Sequence, residues 1–551
     1  MKRILLACTL LLGSFVLHAQ PEHRISYAIS YDTVGGPRLL VLLSFRGTDS
    51  GRTVLQLPEA FASQKELQKA VSNLEAVSPG LRISTTGDAA QRVLLHPPGA
   101  ELRLRYELRQ DWTGSFVYPK NYRAVIQPGW MQLTGYSLFA HPAWSDDEKV
   151  RLSLDWSGMP ASWSIANSFH AEARRYTGSC LVGDLENSVF VGGDFRLYKR
   201  KLRGQAVYTA IRGAGWTFND TTLVRKAMRI IGGERSFWND HKEPYFLLTL
   251  APFSESGHYN GSKLYQSFFM NMSPDSFATA YISKLLAHEY MHRWIGGKLT
   301  IKGKEEEHYW FSEGFTEYYT YKSLRRIGVD ALEDQLQAIN KTIADYYLSP
   351  VRNATQKAAG DSFWLDRSYQ RLPYVKGFAF AMYFDSAIAT RSGGLRSLDN
   401  VLSALSQGRK KDGPMEVEVL LNALRRQSGL PVDSLYNEWV VRGVTIPVAR
   451  LADAGPYRLA AREIGAFELG FDPKTIRKGS PVGGVIEGSA AWQAGLRNGQ
   501  ILKSASIYYD DVSQPVVIGV LAADGSERTI SYLPLHRNRV LVPQYELKAS
   551  R

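Results

Sequence analysis

The sequence predicts a multidomain α+β chain: an antiparallel β-domain first, a mixed central unit running into helices next, and a small strand-rich unit last. Three observations predict it. The chain has 551 residues, and at about 100–200 residues per domain it holds several folded units, each able to bury a core. The spacing of apolar residues changes twice, from period two to the helical period and back to short strands. The composition, 44% hydrophobic, 22% charged and 12% aromatic, is globular and excludes wholesale disorder, collagen-like repeats and a multi-span membrane protein. Two cysteines exclude a disulfide scaffold.

The first element is a leader. Lys2 and Arg3 precede an apolar run from Ile4 to Leu17, after which come His18, Ala19, Gln20 and Pro21. A basic start, a short apolar core and a small residue before a polar stretch describe a secretory signal peptide over residues 1–20. The run is too short to span a bilayer, which takes about 20 apolar residues. Leu5-Leu6-Ala7-Cys8 mimics a lipoprotein box but stands too early to leave an apolar segment before the cysteine. Loss of the leader lowers the formal charge from +13 to about +11 and leaves Cys180 as the sole cysteine. The mature chain is therefore expected to be periplasmic or secreted, without an intrachain disulfide.

Residues 21–165 read as the β-domain. Ile25, Tyr27, Ile29 and Tyr31 alternate with polar residues, as do Leu102, Leu104, Tyr106 and Leu108, then Val150, Leu152 and Leu154. Turn signals at Val34-Gly35-Gly36-Pro37 and Pro97-Pro98-Gly99 separate such runs, and a sandwich or saddle is expected. From about Ser276 to Gly443 the period becomes helical, as in Leu332, Leu336, Ile339, Ile343 and Tyr346. Near Ala461 the pattern returns to short strands and glycine-rich turns.

The strongest chemical signal lies in the central unit: His288-Glu289-Tyr290-Met291-His292. Residues four apart share a helical face, so both imidazoles can reach one ion while Glu289 projects from the adjoining edge toward a water. That is the zinc-peptidase arrangement, in which the metal polarises water and carbonyl and the glutamate takes the proton. Ser273-Pro274-Asp275 starts the predicted helix, Ile282, Leu285 and Leu286 give it an apolar face, and Gly296-Gly297 ends it.

A catalytic zinc needs a third protein ligand and one open position. The run from Trp310 to Tyr318 supplies a carboxylate: Ser312 is expected as an N-cap, with Glu313 in the first turn of a second helix and Glu317 four residues on. Glu313 then completes the ligand set, and Glu317 either orients a ligand histidine from behind or is a solvated helix glutamate. Tyr374, in Pro373-Tyr374-Val375-Lys376-Gly377, opens a further apolar helix. A tyrosine hydroxyl there could stabilise an oxyanion, but spacing alone does not single out one of 29 tyrosines.

These residues carry a resemblance. His288-Glu289-x-x-His292-x-Trp294-x-Gly296, Trp310-x-x-Glu313-Gly314-x-Thr316-Glu317-Tyr318 and Tyr374-x-Lys376-Gly377 resemble the M61 (glycyl aminopeptidase) family of gluzincin metallopeptidases, related to the M1 aminopeptidases. Ser397-Leu398-Asp399, within Gly394 to Val401, also resembles the M61 pattern. The resemblance implies a thermolysin-like catalytic domain over 166–330, a helical domain over 331–455 and a PDZ-like domain over 460–545. It implies one Zn2+ on His288, His292 and Glu313, Glu289 as general base and Tyr374 on the oxyanion. The stretch between His292 and Glu313 is longer than in the M1 relatives, which favours M61. One departure bears on specificity. The families place a glutamate in a glycine-rich strand before the zinc helix to hold the substrate's amino terminus. This chain reads Ser254-Glu255-Ser256-Gly257-His258-Tyr259-Asn260-Gly261, with no glutamate after the glycine.

Leu469-Gly470-Phe471 and the stretch Gly488 to Leu502 resemble a PDZ domain. The first matches the loop whose backbone N–H groups receive a C-terminal carboxylate, and strand addition would hold a peptide ligand; a packing module without a ligand is the alternative. The leading expectation is an exported zinc metallopeptidase acting on peptides or proteins, endo- or aminopeptidase. The alternative is a non-catalytic peptide-binding protein with a structural or vestigial zinc site. Nucleic acid is not expected as a partner: no long Lys/Arg cluster or recognition motif appears, and Arg409-Lys410-Lys411 reads as a solvated loop.

Overall fold

The computed structural model describes residues 23–408, 413–451, 457–509, 511–521 and 525–548. The expected signal peptide and the run Arg409–Lys411 lie outside the described residues. The chain divides into two units, Met1–Arg196 with Leu264–Ser267, and Leu197–Lys263 with Phe268–Arg551.

In the first unit the alternating runs form strands His23–Asp32, Arg38–Arg46, Glu101–Leu108 and Lys149–Gly158. Their apolar positions Ile25, Tyr27, Val41, Leu43, Leu104, Tyr106, Leu152 and Leu154 are all at most 1% exposed, as the two-residue period requires. The six-stranded sheet holding them departs from the antiparallel expectation at one place: His23–Asp32 pairs parallel with Lys149–Gly158. Such a pair needs a long connection, and two four-stranded sheets belong largely to it. The boundary expected after residue 165 falls inside this unit's pairing. Ser164–Asn167 pairs with Val189–Gly193, and Arg175–Leu181 with Lys149–Gly158. Cys180 is buried and forms no disulfide among the described residues.

The second unit opens on a five-stranded sheet of β1 (Arg196–Leu202), β2 (Gln205–Ile211), β3 (Tyr245–Pro252), β4 (Tyr259–Leu264) and β5 (Ser267–Met272), in the order β1-β2-β3-β5-β4. Helix α1 (Asp220–Phe237) carries the chain between β2 and its parallel neighbour β3, and β4 is left as an edge. The predicted zinc helix is two helices, α2 (Ser276–Ala280) and α3 (Ile282–Met291), joined at Tyr281. Asp275 caps α2 by accepting the Ala278 N–H, in keeping with the start signal. The next helix, α4 (Glu305–Ile327), corrects the expectation for Ser312, which lies inside it and is not its N-cap. Glu305, Glu306 and Glu307 make an acidic first turn that suits the positive end of the helix dipole, so the helix starts before the serine. There follow α5 (Leu332–Leu348), α6 (Gln356–Ser362), α7 (Arg367–Arg391), α8 (Leu398–Gly408) and α9 (Val417–Ser428). The face read from period 3.6 is present in α5: Ile343 and Tyr346 are buried, and Leu332, Leu336 and Ile339 pack partly buried against the same core.

The last segment holds β6 (Tyr457–Phe467), α10 (Ala490–Gln493), β7 (Ile501–Ser506), β8 (Val516–Leu521), β9 (Glu527–Tyr532) and β10 (Leu535–Leu547). Strands β7, β8 and β9 make a sheet over a small core of its own that includes Leu469, Phe471, Ala491 and Ile518. Strands β6 and β10 pair as an antiparallel ribbon whose Tyr457, Val542 and Tyr545 join the core shared with α5 and α7. Among the described residues no helix is long and apolar enough to cross a membrane.

Candidate metal centre

Helix α3 puts His288 and Glu289 on neighbouring positions and ends so that His292 is its C-cap, still in right-handed backbone conformation. The two histidines therefore keep the four-residue spacing that places them on one face. Gly296, at φ +82° just beyond, leaves room for His292: a Cβ there would stand 3.3 Å from Nδ1 of that imidazole. Helix α4 supplies Glu313.

His288 Nε2, His292 Nε2 and Glu313 Oε2 form a nearly equilateral triangle, with sides of 3.2 Å between the histidines and 3.2 and 3.3 Å to the carboxylate. Tetrahedral zinc with bonds of 2.0–2.2 Å holds its donors about 3.4 Å apart. Two imidazole nitrogens facing each other at this distance cannot both be protonated and neutral, and a cation between them and the carboxylate satisfies all three lone pairs. One zinc ion fits this set of two nitrogens and one oxygen. Among the described residues these three are the group whose donor atoms can meet on a metal, all within 4.8 Å of one another.

The electrostatics agree. Burial works against a charged His288, but Glu313 and Glu317 override it and push its pKa up to about 10. Burial likewise opposes ionisation of Glu313, yet His292 and His288 hold it far below the usual carboxylate range. A site whose carboxylates favour the charged form of the buried His288 imidazole this strongly is suited to a positive charge.

Behind His288, Glu317 Oε2 stands 3.2 Å from Nδ1, off the line of a strict hydrogen bond, so its hold on the ring is mainly electrostatic. His292 Nδ1 faces the Ile295 carbonyl at 3.1 Å. Glu317 is 2% exposed and is held by the Lys284 ammonium at 2.6 Å and the Arg371 guanidinium at 3.8 Å. Burial opposes its charge, and Lys284 foremost keeps it ionised. Sequence reasoning missed Lys284 and Arg371. Lys284 was within reach of it, being four residues before His288 and so on the same face; Arg371 had no local signal.

Glu289 accepts the backbone N–H of Lys263, 3.1 Å away on edge strand β4. Burial raises its pKa, with Glu313 adding to this while His292, His288 and the Lys263 N–H oppose; a raised carboxylate is suited to taking and returning a proton. Tyr374 stands on α7 with its ring 6.0 Å from that of His288 and tilted 21° to it. Burial foremost, then Glu313 and Glu289, keeps its hydroxyl protonated. The structure thus brings His288, Glu289, His292, Glu313, Glu317 and Tyr374 together. Leu469, Gly470 and Phe471 belong to the separate C-terminal core: the Leu469 carbonyl accepts from Tyr532 Oη at 2.5 Å and the Gly470 carbonyl from the Ile486 N–H at 2.8 Å. In the glycine-rich segment before β4, Glu255 is half exposed and stands 3.9 Å from His258.

Residues 247–439 match the model of the peptidase family M1 domain, a span that contains all six residues of the centre. An aminopeptidase N family protein from Idiomarina loihiensis of known crystal structure is similar at TM-score 0.72 and 17% identity, over 94% of this chain and 97% of that one, which shows a shared fold. The M1 zinc metallopeptidase of Deinococcus radiodurans matches at TM-score 0.47 and 16% identity, over 78% of this chain and 95% of its own. At the level of the gluzincin clan the resemblance read from the motifs stands; the matching model is M1 and not M61.

Proposed function

We propose that this chain is an exported zinc aminopeptidase that works by metal-assisted hydrolysis and carries a peptide-receiving PDZ-like segment at its C-terminus. One observation carries the hydrolase reading: three converging donors have a half-buried carboxylate, Glu289, and a protonated phenol, Tyr374, beside them. His288, His292 and Glu313 would hold a zinc ion, which would supply Lewis-acid polarisation of the scissile carbonyl and acidify water. The chain's own groups do the rest. Glu289, fixed by the Lys263 N–H, takes the proton of the attacking water and returns it to the leaving amine. The Tyr374 hydroxyl donates to the oxygen on which negative charge develops. The buried Glu317 and Lys284 pair keeps the His288 ring in place.

Strand β4, an edge beside Glu289, offers backbone groups to an extended substrate. The aminopeptidase reading rests on the M1 domain match and stands despite the missing strand glutamate, so blocking the amino terminus of a peptide library is expected to abolish cleavage. Export rests on the basic-apolar leader. In the Glu289→Gln variant, hydrolysis is expected to fall by at least about 10³-fold while one equivalent of zinc stays bound. Full activity in that variant overturns the mechanism.

A further inference from the structure

A cavity of about 270 Å³ lies between α4, α7 and the ribbon of β6 and β10, at the lower end of the size range of small-ligand sites. Its wall follows from helical spacing. On α4, Tyr318, Lys322 and Arg325 stand at i, i+4 and i+7; on α7, Phe378, Met382, Asp385 and Ala389 stand at i, i+4, i+7 and i+11. Each helix therefore turns one stripe toward the cavity. Tyr457 of β6 and Tyr545 of β10 complete the wall, their ring centres 6.2 Å apart. Much of the surface so formed is aromatic or aliphatic.

The charged groups among the described lining residues are Lys322, Arg325 and Asp385. Two of them are satisfied within the protein. Asp385 accepts from Tyr318 Oη, from Lys322 Nζ at 2.8 Å and from the Leu398 N–H at 2.7 Å. Lys322 also meets Asp399 at 2.7 Å, and Arg326 reaches that carboxylate at 2.6 Å. Lys322 and Arg326 thus balance Asp385 and Asp399. Arg325 is the surplus: it is exposed, and among the described residues its guanidinium makes no hydrogen bond or ion pair. A second group is left over beside it. Tyr457 is 1% exposed, yet its buried hydroxyl has no hydrogen-bond partner among the described residues, which costs free energy unless a ligand supplies one. Burial foremost raises the Tyr457 pKa, with Arg325 opposing and Glu333 adding, so the phenol stays a donor. Glu333 belongs to the first turn of α5 and not to the cavity wall.

We propose that this cavity binds a small apolar monocarboxylate, whose charge is received by the Arg325 guanidinium and the Tyr457 hydroxyl while its body packs against Tyr318, Phe378 and Met382. A guanidinium and a phenol donor on an otherwise apolar wall ask for one negative group on an apolar body. A ligand ammonium would find no acceptor in Asp385, which three donors already share. The site is separate from the metal centre, and its binding goes beyond the hydrolase reading and does not depend on it. Tyr321, also in the wall, joins the two: its hydroxyl donates to Glu317 at 3.4 Å. Tyr457 and Tyr545 join the cavity to the C-terminal ribbon, so an occupant bridges the ligand helix and that ribbon.

The test titrates 3-phenylpropionate and 3-phenylpropionamide into the zinc-loaded full chain and reads binding by calorimetry. The acid is expected to bind about tenfold more tightly than the amide. Arg325→Gln removes that preference, and Tyr457→Phe weakens the acid about fivefold, while peptide hydrolysis without the acid stays at the wild-type rate in both. At ten times its dissociation constant the acid is expected to slow hydrogen exchange in 457–467 and 535–547 about tenfold, and to leave it unchanged in Arg325→Gln. Equal affinity for acid and amide, or ribbon exchange unmoved at saturation, overturns the site. Acid binding that both variants retain and that competes with a peptide substrate places the carboxylate on the zinc, and overturns it as well.

Discussion

A metal-binding histidine needs its far nitrogen held, and here the hold comes from Glu317, which is itself kept ionised by Lys284 at 2.6 Å. Replacing Glu317 by Gln removes the charge that steadies the His288 ring and takes the carboxylate partner from the half-buried Lys284 ammonium. Zinc affinity in Glu317→Gln is expected to fall about 10–100-fold, measured by competition with a chromophoric chelator, with Glu289→Gln as the comparison whose affinity stays near wild type. Equal zinc affinity in the two variants would show that Glu317 is only a packing residue. This part of the centre was half legible in the sequence. The four-residue steps from His288 to His292 and from Glu313 to Glu317 are local, so helical geometry alone brings each pair to one face. Arg371 reaches Glu317 from a helix more than forty residues away in sequence, and nothing local records such a contact.

Helices α4 and α7 cross where neither has a side chain. A Cβ on Gly377 would stand 1.8 Å from the Trp310 carbonyl oxygen, and one on Gly314 would stand 2.3 Å from the Gly377 Cα. Glu313 precedes one glycine and Tyr374 lies three residues before the other, so this contact sets the distance between a metal ligand and the phenol opposite it. Gly377→Ala is expected to lower stability by about 3 kcal/mol, at the upper end of overpacking costs, and to depress kcat/KM further than the loss of folded protein explains. Thermal unfolding and steady-state kinetics on the folded fraction check this, with Gly408→Ala, where a Cβ meets nothing within 4 Å, as the neutral comparison. Both glycines stand in the quoted motifs, yet their role is a close approach between elements, which a pattern along one chain does not express. The misplaced start of α4 has the same root. Ser312 is a good cap residue by type, but three glutamates at 305–307 offered the helix an earlier start, and a buried face with Trp310, Phe311 and Phe315 kept it running past the serine.

At the scale of the whole chain, period two and period 3.6 sorted the strands from the helices, while pairings made across long connections, such as the parallel partner of the first strand, were outside their reach. The attachment of the C-terminal segment is of that second kind. Its first and last strands, β6 and β10, form the ribbon that packs on α5, and one side chain locks the register. Asn340 Nδ2 donates to the Tyr545 carbonyl at 2.8 Å, its Oδ1 accepts the Tyr545 N–H at 2.7 Å, and its own carbonyl accepts from Gln544 Nε2 at 3.0 Å. The amide thus acts as an added strand residue on the ribbon. Asn340→Ala deletes both side-chain bonds at a cost of about 2 kcal/mol. Because the ribbon and the metal centre are held by different contacts, the loss should stay local. Hydrogen exchange is expected to speed up by about tenfold or more in 457–467 and 535–547, with zinc affinity at the wild-type value. If exchange in the ribbon stays slow, the apolar contacts of Tyr457, Val542 and Tyr545 suffice to dock the segment. If zinc affinity falls with it, the ribbon and the centre form one cooperative unit, and the C-terminal segment supports the ligand helices directly.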